Sequence, residues 1–110
     1  MIAGDRSLAK CSGVDLGIED HGCPFLYCRF SYEDGGTQGF GTTVDTDFLM
    51  GFMGVFGVRM LREVNGMSCW VTHEVDRIHL VEPLHRKDGK PFDVDAWAKA
   101  KRHATGEEGR

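Results

Sequence analysis

The residues able to do chemistry in this chain are four cysteines (Cys11, Cys23, Cys28, Cys69), five histidines (His21, His73, His79, His85, His103) and a set of carboxylates beside turn-forming residues. A thiolate next to an imidazole can act as a nucleophile, and His21 with Cys23 and one distant ligand could hold zinc. The spacing supports neither strongly. No C-x-x-C knuckle is present. Cys69 and His73, on one face of a strand, would stand ~13 Å apart, too far for one tetrahedral ion. Cys23 or Cys69 could still meet His73, His79 or His21 in space, although no local signature marks such a pair. Cys28 and Cys69 read better as small core residues, and no catalytic residue, cofactor or metal site is expected.

The glycine-rich segment GGTQGFG at 35–41 invites a nucleotide reading. It lacks the Gly-Lys-Ser/Thr ending of a P-loop and the strand-to-helix setting of a dinucleotide fingerprint. A hairpin with a glycine bulge or a close backbone contact accounts for it.

The carboxylates Glu19, Asp20, Glu33, Asp34, Asp45 and Asp47 all fall at strand ends or turns. They can serve as turn formers and caps. Gathered on a rigid small domain, they can also imitate spaced phosphates and occupy a basic groove. Residues 1–58 hold eight acids against Arg6, Lys10 and Arg29, a balance of −5, whereas residues 59–110 carry +1. The front half is therefore unsuited to a phosphate backbone and suited to a basic protein partner.

These side chains must be positioned by a single domain of 110 residues, large enough for a core without disulfide or metal. Fifteen glycines, roughly twice the usual share, point to turns and tight packing. Met1 to Lys10 has no apolar segment resembling a secretory signal, so free thiols and a cytosolic location are expected.

Residues 1–12 are polar and aperiodic, and they are expected to be frayed or to form at most a short strand; 104–110 should fray as well. The residue pattern predicts strands over Gly13–Glu19, Phe25–Glu33, Ser68–Val75 and Arg77–Leu84, and a strand over Thr37–Val44 should pair back on the second. Leu26, Cys28, Phe30 and Tyr32 form the inward face of the second. Val71, Val75, Ile78 and Leu80 anchor the last two. EDGG at 33–36 is a hairpin turn.

Phe48 to Val58 is an eleven-residue run of apolar residues and glycines, with Gly51, Gly54 and Gly57 at every third place. It is too short for a membrane span, which needs about 20 residues. Thr46 or Asp47 can cap a helix that runs about 18 residues, to an Asn65-Gly66 stop. Leu49, Phe52, Met53, Phe56, Met60 and Val64 would line its buried face. Three helical glycines cost roughly 1 kcal/mol each against alanine, which a close approach of a sheet, a helix or a second subunit would offset. Asp93 caps a short terminal helix that sets Trp97 on the body and Lys99, Lys101 and Arg102 toward solvent. The expected fold class is α+β: an antiparallel β-sheet of about five strands, one main helix packed across it and a short C-terminal helix.

GIEDHG (Gly17 to Gly22), the strand that follows, GGTQGFGTTVD (Gly35 to Asp45) and WVTHEVDRI (Trp70 to Ile78) resemble a group of small phage and prophage proteins, over about residues 16–82. Thr42 stands where that group usually has another glycine. The resemblance implies a mobile-element origin and a likeness to anti-CRISPR proteins that act on a type I complex. It implies a non-enzymatic inhibitor that binds protein subunits of a host CRISPR effector complex and blocks target DNA access. Glu33, Asp34, Asp45 and Asp47 would be its acidic contacts, with Tyr32 and Phe40 as aromatic anchors and no direct contact to nucleic acid or membrane. The alternative is a phage accessory protein that binds metal or nucleic acid in replication or recombination, the latter through Lys99 to Arg102. A structural protein that dimerises through the glycine stripe is a third possibility.

Overall fold

The structure, a computed structural model, describes residues 4–105, with side chains described as far as Lys101. The tail beyond Thr105 lies outside the described residues. Six strands form one antiparallel sheet: β1 (Asp5–Ile18), β2 (Pro24–Tyr32), β3 (Thr37–Thr43), β4 (Ser68–Glu74), β5 (Arg77–Pro83) and the two-residue β6 (Phe92–Asp93). Their order across the sheet is β3-β2-β1-β4-β5-β6. Helix α1 (Thr46–Phe56) follows β3, and α2 (Val94–Thr105) follows β6. The α+β class expected from the sequence is the one found, with a sixth short strand added.

The first correction concerns the N-terminal residues. From Asp5 onward they form the longest strand of the sheet, not a frayed start. β1 pairs with β4 from Asp5 to Lys10 and with β2 from Ala9 to Ile18, so it joins the two halves of the sheet. Its inward positions near the centre are Ala9 and Cys11, both buried but small, so the alternation barely registers in hydropathy. Beyond a register shift between Ser12 and Asp15 the strand runs past the core, and Leu16 and Ile18 are exposed although their alternation predicts a half-buried face. Val75, expected as an apolar anchor, sits in the β4–β5 turn and is 98% exposed. β2 behaves as its alternation predicts: Leu26, Cys28, Phe30 and Tyr32 are buried.

Helix α1 is eleven residues long, not about eighteen. Its N-cap is Asp45, whose carboxylate accepts from the Phe48 N–H at 2.9 Å, in place of Thr46 or Asp47. It ends at Gly57, which takes the left-handed conformation (φ 66°) that closes a helix. The apolar pattern that suggested a longer helix continues through an extended stretch and a single 3-10 turn (Leu61–Val64), from which Val64 still reaches the core. The buried face is Phe48, Phe52, Val55 and Phe56, whereas Met60 is exposed. Phe48 is the hub: it stacks with Phe40 and Phe52 and meets Phe92 and Trp97 edge-on, with centroids 4.8–6.0 Å away.

The close approach expected of the glycine run is made within the chain. A Cβ on Gly51 would collide with the Phe92 ring. A Cβ on Gly89 would run into the carbonyls of Gly54 and Val55, and one on Gly57 would lie 2.7 Å from the Asp88 carbonyl. Lys90 N–H also donates to the Gly54 carbonyl at 3.0 Å. The missing side chains thus let the segment before β6 lie against α1. Among the described residues no helix is long and apolar enough to cross a membrane.

Candidate binding seam

The sheet curls until its two flanks approach each other. The Gln38 amide, on β3, donates to the carbonyl of Glu74 at 3.0 Å, at the β4–β5 turn. β5 is paired with β6 only at Leu80 and Val81, so its first half, like the outer side of β3, is an open edge. Helix α2 lies across the opening, and a groove of about 600 Å³ remains beside it. Gln38 to Thr42, Asp76 to Ile78, and the α2 residues Val94, Asp95, Trp97, Ala98 and Lys99 line that groove.

The free edge of β3 has a definite register. Tyr32 N–H donates to the Gly36 carbonyl and Val44 N–H to the Pro24 carbonyl, so even-numbered residues of β3 face β2 in the ladder. Antiparallel pairing alternates, so the N–H and C=O groups of Thr37, Gly39, Gly41 and Thr43 point away from β2. The glycines of GGTQGFG have a second role here. The Tyr27 hydroxyl would lie 2.8 Å from a Cβ on Gly39, and the Phe25 ring 2.8 Å from one on Gly41. Each aromatic ring covers a bare stretch of the edge strand. No bulge interrupts the pairing of this strand with β2.

Helix α2 is pinned over the seam at two places. Near its start, the buried His79 lies between two carboxylates: Nδ1 is 2.6 Å from Asp95, and Nε2 is 2.6 Å from Glu74. An imidazole can bond two carboxylates at once only when both nitrogens carry protons. The hydrogen bond to Glu74, with help from Asp95, accordingly raises the His79 pKa, against an opposing effect of burial. Further along, Asp45 accepts from Trp97 Nε1 at 2.9 Å and from Lys101 Nζ at 2.7 Å while still capping α1. The lysine above all, then the Phe48 and Trp97 N–H groups, holds its pKa down to about 2.

At the end of the seam where β3 begins, carboxylates gather. Asp5, Asp34 and Glu74 line a concavity with Tyr32, Thr37, Gln38 and His73, and no lysine or arginine lines it. Asp76 borders the adjoining groove. The Tyr32 and His73 rings stack at 4.1 Å, Tyr32 donates to Gln38 at 2.6 Å, and His73 Nε2 is 3.1 Å from the Ser7 hydroxyl. This network fixes the floor of the concavity. Burial pushes the Tyr32 phenol pKa up, so it stays protonated.

The six residues expected at a contact surface do not form one patch. Glu33 and Asp34 stand at the β2–β3 turn, where Asp34 also accepts from the Gly36 N–H. Asp45 and Asp47 stand at the other end of β3, about 20 Å away by strand length. Of these two, Asp45 is committed to α1, Trp97 and Lys101, and Asp47 is exposed. Tyr32 is buried, and Phe40 packs on Phe48. Asp5 and Glu74, which the curl brings beside Asp34, and Asp76 and Asp95 in the adjoining groove carry no signal in local sequence.

The cysteines behave as expected. Cys11, Cys28 and Cys69 are buried free thiols. The Cys28 pKa is raised by its hydrogen bond with Cys11 and by burial, and burial pushes Cys69 up to about 12. Neither is poised as a thiolate. Exposed Cys23 lies in the β1–β2 turn, where the Glu19 carboxylate accepts from its N–H and from the His21 N–H. His21 Nδ1 is 3.1 Å from the same carboxylate. Among the described residues no group of three or more His, Cys, Asp or Glu side chains is arranged to hold a metal ion. Compared with family models, curated proteins and solved structures, the chain finds no match.

Proposed function

We propose that this protein is a non-enzymatic binding protein of a phage or other mobile element, and that it acts by occupying a basic surface on its target. The observation that carries this reading is the concavity at the start of β3, where Asp5, Asp34 and Glu74 converge without a lysine or arginine in its lining. Such a surface raises association rates with cationic partners and repels nucleic acid. Its floor is pre-organised by the Tyr32–His73–Gln38 network, which lowers the ordering cost of binding. The resemblance of Gly17–Gly22 and Gly35–Asp45 to small phage proteins gives the target: a subunit of a type I CRISPR effector complex, whose DNA-binding groove is blocked. Glu33 and Asp34 keep their place as contacts in this reading, joined by Asp5 and Asp76. Asp45, Tyr32 and Phe40 act as its supports.

The test is retention of a complete type I effector complex on the tagged protein at low and high salt. Stoichiometric retention that falls with salt, and falls again when Asp5, Glu33 and Asp76 are changed to lysine, is expected. A complex that never binds, or binds regardless of salt and charge, would sink the proposal.

A further inference from the structure

The β3 edge and its groove are a built site for a chain, separate from the acidic concavity but continuous with it. We infer that the protein takes up an extended segment of its partner as an additional strand on the free edge of β3. This rests on the reading of the protein as a binding module, not on the identity of the target.

Several observations converge on it. Thr37, Gly39, Gly41 and Thr43 offer a run of N–H and C=O groups directed away from β2, by the parity of the β2–β3 ladder. Edge strands of this length are ordinarily protected by a charge, a proline or a bulge, and β3 (TQGFGTT) has none of these. The space beside the edge is a groove of about 600 Å³ whose far wall is the first turns of α2. Main-chain ladders supply affinity in this mode of recognition, while the flanking pockets supply selectivity.

The strand directions set the orientation of the guest. Successive pairs from β3 to β5 are all antiparallel, so β3 and β5 run the same way. A segment between them that is antiparallel to β3 is also antiparallel to the open half of β5. Its C-terminal end then lies opposite Thr37, beside Asp34, Glu74 and Asp76, and its N-terminal end lies toward Thr43. The guest that fits is an extended segment with small or β-branched side chains and with lysine or arginine at its C-terminal end. A second copy of this chain fits worse. Its folded body would meet the α2 wall formed by Trp97, Ala98 and Lys99 before its own β3 edge could reach this one.

The experiment uses the whole protein, isotope-labelled, and synthetic peptides of about ten residues that alternate threonine and valine. Two arginines are placed at the C-terminus, at the N-terminus, or nowhere. New protection of the Thr37, Gly39, Gly41 and Thr43 amides is expected, with the even-numbered amides of β3 unchanged. The peptide with C-terminal arginines should bind about 10-fold more tightly than the one with N-terminal arginines, an advantage that salt reduces. Thr43→Pro removes one outward N–H and leaves the β2 ladder whole, so it should keep the fold and lose binding, while Thr43→Val keeps both.

Protection of odd and even amides alike, binding blind to the position of arginine, or full binding by Thr43→Pro would each overturn the inference. So would protection of these amides that rises with protein concentration in the absence of peptide, because the edge would then belong to a second copy. The two proposals separate cleanly. An effector complex retained equally by wild type and Thr43→Pro leaves the target reading standing and removes strand addition. Peptide binding in the absence of any retained complex does the reverse.

Discussion

The two flanks of this sheet are held by different physics. On the closed flank, β1, β2 and β4 share long ladders and bury Leu26, Cys28, Phe30, Cys69 and Val71 in the core. On the open flank, β3 has a free side, β5 is only half paired, and α2 bridges the gap through His79 and Asp45. Burial of apolar area is indifferent to pH and salt, whereas charged contacts respond to both. The closed flank should therefore set global stability, and the open flank should set how readily the seam admits a guest.

The sharpest way to break the apolar core that both flanks share is Phe48→Ala. It empties a fully buried site ringed by four aromatic side chains and should cost about 3–5 kcal/mol in denaturant unfolding. A cost near that of a surface substitution would show that Phe48 is not the hub. Gly89→Ala comes next. The added methyl meets the Gly54 and Val55 carbonyls, and the expected loss is about 1–3 kcal/mol. Gly13→Ala, with open space around it, separates crowding from backbone strain, because its φ of 59° brings the strain alone.

Substitution of His79 moves the comparison to the open flank. His79→Gln should cost less than either core change, about 1 kcal/mol, because Glu74 and Asp95 are half exposed and water can replace the lost partner. Its pH dependence is more telling. The folded pKa of His79 lies above the ordinary value of 6.5, so its contribution is complete below pH 6.5 and is lost as pH rises through the folded value. Wild type should therefore lose stability, and α2 should exchange its amides faster, as pH climbs above 6.5. His79→Gln should flatten that slope, and an unchanged slope would assign it to another group.

Lys101→Met has the smallest expected effect. The pair with Asp45 is surface-exposed on the lysine side, so the unfolding midpoint should hardly move. What should change is the acid limb. Asp45 is held to about 2 first of all by Lys101, so its contribution, present above pH 3.8, is lost as pH falls toward 2. In Lys101→Met that loss should begin at higher pH, read by the fluorescence of Trp97, whose indole donates to Asp45. A titration identical to wild type would mean that the Phe48 and Trp97 N–H groups hold the carboxylate unaided.

Much of the fold was legible before the structure. The turn at 33–36 located β3 by pairing it back on β2. Alternation located β2, β4 and β5 to within a residue or two, because their inward positions carry Leu, Phe, Val and Ile beside polar neighbours. It missed β1 before residue 13, where Ala9 and Cys11 fill the same role with little hydropathy. It overran α1, because hydropathy is blind to backbone handedness and three glycines left Gly57 looking like its fellows. The site was less legible. Asp34 and Glu33 were chosen because turns expose them, and they do stand at the acidic end. Asp45 was chosen on the same ground, yet its carboxylate is used by three internal donors.

The sequence by itself determined what is local: strand period, turn chemistry at 33–36, the inward Phe52 and Phe56 of α1, and the core placement of Cys28 and Cys69. Those features depend on residues within a few positions of one another, so short-range sterics and hydropathy suffice to read them. Only the tertiary structure decided the seam. Glu74, His79 and Asp95 meet across separate elements, as do Asp45, Trp97 and Lys101, and one side of β3 is free because it is the last strand in the sheet order. Such encounters follow from the summed twist and register of five strand pairings, a quantity that no window of sequence contains.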